Sequence, residues 1–128
     1  MGGMKPVVLW QRLEGLVIFV AGLSLAWQWD LSVPWWGGLL IFFAPDLSFA
    51  GYVFGPKVGA VCYNTVHVYA FGAGFIAVGF LLAHPFCAFA GALWLAHCGF
   101  DRMFGYGLKM PEGFSYTHLG RIGKGTSD

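Results

Sequence analysis

Residues 86–108, FCAFAGALWLAHCGFDRMFGYGL, have the apolar length to cross a bilayer, yet His97, Asp101 and Arg102 interrupt them. About 20 predominantly apolar residues suffice for a transmembrane helix, and three similar stretches precede this one, at about 13–29, 35–54 and 58–82. Pro34 and Pro85 stand at the breaks, where a first helical turn tolerates a missing N–H. Over its 128 residues the chain is 58% hydrophobic and 10% charged, with a mean hydropathy of +0.68, well outside average soluble composition. The expected fold is all-α: a polytopic membrane protein, one integral domain over 1–128, with four transmembrane helices (about 13–29, 35–54, 58–82 and 86–108) and a tail over 109–128.

Charge sets the expected orientation. With four spans, the seven basic residues Lys5, Arg12, Lys57, Arg102, Lys109, Arg121 and Lys124 all fall on one side, which makes both termini cytoplasmic. Trp27, Trp29, Trp35 and Trp36 crowd the opposite interface and Trp10 marks the inner one. A formal net charge of +1 without a block of like charge excludes a nucleic-acid footprint. Cys62, Cys87 and Cys98 form no C-x-x-C and are read as buried, reduced thiols. Arg12 and Glu14 interrupt the first segment and no small-x-small site follows it, so a cleaved signal peptide is not expected.

Topology gathers scattered polar residues into one slab. At about 1.5 Å of rise per residue, Asp46 and His67 lie roughly 13 Å from the cytoplasmic ends of adjacent antiparallel helices, His97 roughly 16 Å deep, Asp101 roughly 10 Å and Asn64 roughly 9 Å. His97 and Asp101 are four apart and Asn64 and His67 three apart, so each pair shares a helix face. Ala88, Ala92 and Ala96 beside them permit close helix approach. Glu14 reaches the slab from below, whereas Arg102, about 100° round from Asp101, is expected to face the interface, an anionic headgroup or Glu14. Pro45 in mid-helix should kink or break the second span, and Asp46 would then cap the next half, in place of or beside a role as a ligand.

Aspartate at a helix centre costs roughly 2.5–3.5 kcal/mol, against about 0.3–0.6 recovered per Leu or Phe. The two aspartates thus need compensation by protonation, His⁺ pairing or a bound cation. Three readings follow. Asp46, His67, His97 and Asp101 suit a divalent transition metal, Zn²⁺, Fe²⁺ or Mn²⁺, with Asn64, Glu14 or His118 completing the first or second shell, although no H-E-x-x-H is present. Alternatively, the polar residues only fix helix packing. A small proton-coupled transporter is the third reading: four short helices and an acidic residue in the first resemble small multidrug resistance transporters, whose pattern lacks these histidines and this tail.

The segment DRMFGYGLKMPEGFSYTHLGRIG (101–123) is too varied for a simple disordered tail. It is expected to fold back as a cap, bringing Tyr106, Lys109, Glu112, Thr117 and His118 to the cytoplasmic mouth. An ordinary solvated tail is the alternative.

The strings QRLEG, APDLS, GPKVGAVCYNTVH, LAHCGFDRMFGYGLK and FSYTHLGRIG, in order between Arg12 and Gly123, resemble a bacterial membrane family catalogued as domain of unknown function 4260. The resemblance implies a small protein of the bacterial cytoplasmic (inner) membrane and supplies no reaction. Its motifs fall on Glu14, Asp46, Asn64, His67, His97, Asp101, Arg102, Lys109 and His118.

The expected function is that of a metal-dependent hydrolase at the cytoplasmic leaflet. Asp46, His67, His97 and Asp101 hold the metal, Glu14 is the candidate base, and Arg102 or Lys109 meets a phosphate or carboxylate group. Asn64, Tyr106 and His118 serve as a second shell or lid. Expected partners are the bilayer and a lipid-like or small-molecule ligand; homo-oligomers or a place in a larger membrane assembly stay open.

Overall fold

The computed structural model describes residues 5–29 and 31–122. Pro6, preorganised for a first helical turn, opens α1 (Pro6–Trp27) earlier than the apolar run alone implied. The remaining helices are α2 (Trp35–Phe43), a 3₁₀ segment (Ala44–Phe54), α3 (Pro56–His67), α4 (Tyr69–Leu81) and α5 (Pro85–Met103). Two helical stretches, Pro6–Trp27 and Trp35–Phe54, are long and apolar enough to cross a membrane, and a third is obtained if α3 and α4, bent by 43°, form one span. The sequence predicts four. α5 has 19 residues, but His97, Asp101 and Arg102 take it below the apolarity of the others.

α5 is the axis of the bundle, and small residues make it so. The buried face of α1 is Gly15, Gly22 and Ala26. A Cβ on Gly15 would stand 2.7 Å from the Gly99 carbonyl oxygen, and one on Gly79 of α4 would stand 2.5 Å from the Ala88 nitrogen. Close backbone approach of this kind sustains helix association where hydrophobic burial gives little drive. Ala26, Ala92 and Leu93 form a buried cluster, with Trp29, Ile41, Ile76 and Phe89 packed on it. Trp27 and Trp35 are largely exposed at one end of the bundle and Trp10 at the other, as interfacial aromatic belts are.

Three local outcomes correct the expectations. Pro45 does not split the second span into two capped half-helices; the chain tightens into an 11-residue 3₁₀ segment, unusually long for that geometry. Asp46 makes no capping bond there, while Ser48 Oγ donates to the Pro45 carbonyl at 2.7 Å. The expected continuous helix over 58–82 breaks at Val68, which is extended (φ −75°, ψ 145°). No proline or glycine marks this break. Its cause lies on α5: Trp94 Nε1 donates to the Val66 carbonyl at 2.8 Å, Cys98 Sγ to the same oxygen at 3.7 Å, and Arg102 Nη2 to the His67 carbonyl at 2.8 Å. These three donors, four residues apart on one face, replace the intrahelical bonds given up.

The third correction is to the all-α class. α5 ends at Met103 rather than near 108, because Gly105 takes φ +87° and the Tyr106 and Gly105 amides return to the Asp101 and Arg102 carbonyls, a Schellman ending. The chain then forms a three-stranded antiparallel sheet, β1 (Lys109–Met110), β2 (Gly113–Thr117) and β3 (Gly120–Arg121), in that order. Lys109 pairs with Thr117, and Tyr116 with Arg121. Lys124, counted in the orientation argument, lies outside the described residues, as does the tail beyond 122.

Candidate metal centre

His67 and Tyr63 stand one turn apart on α3, His97 and Asp101 one turn apart on α5, and Asp46 faces both from the 3₁₀ segment. His67 Nε2 lies 3.4 Å from Asp46 Oδ1 and 3.5 Å from Asp101 Oδ2; His97 Nε2 lies 3.1 Å and 3.3 Å from the same two oxygens. One ligand atom from each of the four residues falls within 4.8 Å of every other. His67, His97 and Asp101 are buried, whereas the Asp46 side chain is 36% exposed.

The other ring nitrogen of His67 determines what the cluster can hold. His67 Nδ1 sits 2.8 Å from the Tyr63 carbonyl oxygen. A carbonyl only accepts, so Nδ1 carries the hydrogen and, in the neutral ring, Nε2 presents its lone pair. Nε2 faces two carboxylate oxygens. Two unit negative charges this close repel by roughly 3 kcal/mol even at an effective dielectric near 20. The arrangement therefore calls for positive charge at its centre, as protons or as a metal ion.

Aromatic rings fix both imidazoles. The Tyr63 ring stacks on His67 at 3.7 Å with 7° between planes, and its hydroxyl donates to Asp101 Oδ2 at 3.3 Å. Phe42 and Phe43 meet His97 edge-on at 5.2 and 6.0 Å. Among the described residues His97 Nδ1 is buried without a hydrogen-bond partner, so these rings, the His67 ring at 5.3 Å and the contacts of Nε2 set its orientation.

A cavity of about 200 Å³ adjoins the carboxylate side of the cluster, lined by Asp46, Asp101, Tyr63, Tyr106, Lys109 and Phe114 among others. Lys109 is only 5% exposed; its Nζ lies 3.7 Å from the Phe114 ring centroid and 5.1 Å from that of Tyr63. Burial pushes its ammonium down to about 8, partly offset by Asp101 and Asp46.

Several expected site residues sit elsewhere. Glu14 is exposed on α1 and belongs neither to the cluster nor to the cavity lining. Arg102 does not face the interface: it is 3% exposed, with Nη2 on the His67 carbonyl, Nη1 on the Tyr106 carbonyl at 3.2 Å, and its guanidinium 5.4 Å from the Tyr69 ring centroid. Asn64 holds the sheet, accepting from the Lys109 amide at 2.6 Å and donating to the Lys109 carbonyl at 2.7 Å. His118 is exposed and accepts from the Leu108 amide at 2.9 Å; burial and Arg102 lower its pKa. It braces the hairpin and does not join the cluster. Tyr106 lines the cavity, and Glu112 is exposed. Sequence reading missed Tyr63, although its place four residues before His67 puts it on the same face.

A family model described as Domain of unknown function (DUF4260) matches residues 8–122. The chain belongs to that family. The DUF4260 match takes in all four cluster residues together with Tyr63, Asn64, Arg102 and Lys109. Searches of curated proteins and of solved structures give no match.

Proposed function

We propose that this chain is a metal-dependent hydrolase of the bacterial cytoplasmic membrane, with Asp46, His67, His97 and Asp101 holding a divalent transition metal near the inner leaflet. In this reading α5 crosses as a fourth span, its polar residues covered by its neighbours, and both termini are cytoplasmic. The observation that carries the reading is the placement of the His67 ring, with Nδ1 2.8 Å from the Tyr63 carbonyl oxygen and Nε2 facing Asp46 and Asp101. An N–H given to a backbone carbonyl, with the opposite nitrogen turned to a cluster of carboxylates, is how metal-ligating histidines are typically oriented. Spacing is compatible with it: the four N···O separations run from 3.1 to 3.5 Å, and all four ligand atoms lie within 4.8 Å of one another.

Held by these four residues, a divalent metal would supply Lewis acidity for activating water. The residues supply the rest. The histidine side is sealed by Tyr63, Phe42 and Phe43, so water and substrate approach through the cavity, past Asp46 and Asp101. Asp46, the most exposed of the four and the one that lines the cavity from the 3₁₀ segment, would be the residue to take the proton of the attacking water. It replaces Glu14 in the role of base. The transport alternative drew on Glu14, which lies outside the cavity.

Elemental analysis of the full chain, purified in detergent without chelators, tests the metal. Stoichiometric zinc, iron or manganese is expected in the wild type and loss of it in His67→Ala; a wild type without stoichiometric metal overturns the reading. Hydrolysis is tested on ester and phosphoester amphiphiles, where metal-dependent turnover should disappear in Asp46→Asn.

A further inference from the structure

Among the described residues, the close side-chain contacts of the buried Lys109 ammonium are aromatic faces. Asp46 and Asp101 line the same cavity, yet among the described residues neither forms an ion pair with it. An ammonium has three donors, and two ring faces satisfy its charge only in part. Its position is not adventitious, because Asn64 clamps the Lys109 backbone through both N–H and C=O. Arg102, the other buried cation beside the site, already gives its terminal nitrogens to the carbonyls of His67 and Tyr106.

We infer that the Lys109 end of the cavity is an anion subsite, where Nζ binds the carboxylate or phosphate group of the substrate opposite the metal cluster. The inference rests on the metal reading. Without a cation the two carboxylates repel an incoming anion; with a divalent ion they are neutralised, and Lys109 is left as the uncompensated charge. Size narrows the ligand: about 200 Å³ is below the roughly 300–1,000 Å³ of pockets that enclose drug-sized molecules. The cavity takes an anionic headgroup, from a lipid or from a small soluble anion, and leaves any acyl chain outside.

The test uses the full chain loaded with zinc, its metal content measured on the same sample. Inorganic phosphate is titrated by calorimetry, and native mass spectrometry counts bound phosphatidic acid against phosphatidylcholine. Lys109→Met should weaken anion binding at least about tenfold, the order expected for a charge-assisted bond, with zinc stoichiometry unchanged. That unchanged stoichiometry, with Lys109→Gln as a second variant, separates loss of the subsite from loss of the fold. Binding of inorganic phosphate supports the subsite with a soluble source, and selective retention of phosphatidic acid supports it with a lipid source. Anion binding equal in wild type and Lys109→Met, or none in the zinc-loaded wild type, overturns the subsite alone. Absence of stoichiometric zinc overturns both readings.

Discussion

Arg102 Nη2 donates to the carbonyl of His67 at 2.8 Å, so the residue that precedes the helix break is held at both ends, its carbonyl by α5 and its imidazole by the cluster. A positive charge at a helix C-terminus is also favoured by the helix dipole. Arg102→Met leaves a buried carbonyl without its donor, and a loss of roughly 1–3 kcal/mol is expected. Thermal unfolding in detergent measures it, and metal content should fall with stability. A stable variant whose only defect is lipid binding would restore the interfacial role.

Tyr63 acts on the cluster through its ring more than through its hydroxyl. Tyr63→Phe keeps the stacking on His67 and gives up one long bond to Asp101, so a cost near 1 kcal/mol is expected. Tyr63→Leu frees the imidazole and should weaken metal binding by about 10–100-fold, the range for lost outer-shell support. Competition with a metal chelator distinguishes the two variants.

The α1–α5 contact has no room for a side chain at Gly99, where a Cβ would lie 2.5 Å from the Phe19 nitrogen and 2.6 Å from the Gly15 oxygen. Because backbone cannot yield as a flexible side chain does, Gly99→Leu should cost about 3 kcal/mol or more. Gly38, with nothing within 4 Å of an added Cβ, is the control. Gly38→Ala should be neutral or stabilising by about 0.5–1 kcal/mol. Unfolding midpoints of both variants against wild type give the comparison.

Stability should depend on alkaline pH through Lys109. Its ammonium is pushed from an ordinary 10.5 down to about 8, so between those values the unfolded chain binds a proton that the folded chain has released. Stability therefore rises with pH across that window and is lower on its acid side. A melting temperature that climbs from pH 8 to 10.5 in wild type, with a smaller slope in Lys109→Met, is the expected result; equal slopes would remove Lys109 as the cause.

Much of the cluster is legible in the sequence, because Asp46, His67, His97 and Asp101 are conspicuous in apolar surroundings and helical spacing sets their faces. Arg102 was misplaced for a physical reason. A 100° turn from Asp101 points it toward the break between α3 and α4, and that break has no local sequence signal, since its donors, Trp94, Cys98 and Arg102, come from another helix. Glu14 was drawn in by depth alone, and depth says nothing about which side of α1 meets α5; Gly15 does. The sheet went unread because its strands are too short for alternation to show, and the pairing of Asn64 with Lys109 spans 45 residues.

The long 3₁₀ segment has a metrical consequence. Three residues at about 2.0 Å of rise and four residues of α-helix at about 1.5 Å both advance about 6 Å, so a 3₁₀ row and an α row are commensurate. Asp46, Phe49 and Tyr52 form such a row against His67, Tyr63 and Gly59. Asp46 meets His67, Phe49 stacks on Tyr63 at 5.4 Å between centroids, and the Tyr52 ring occupies the space that a side chain on Gly59 would need. Wound as an ordinary α-helix, the same residues would fall progressively out of step with α3. The overwound segment works as a ruler, and Asp46 is the mark on it that comes level with the two histidines.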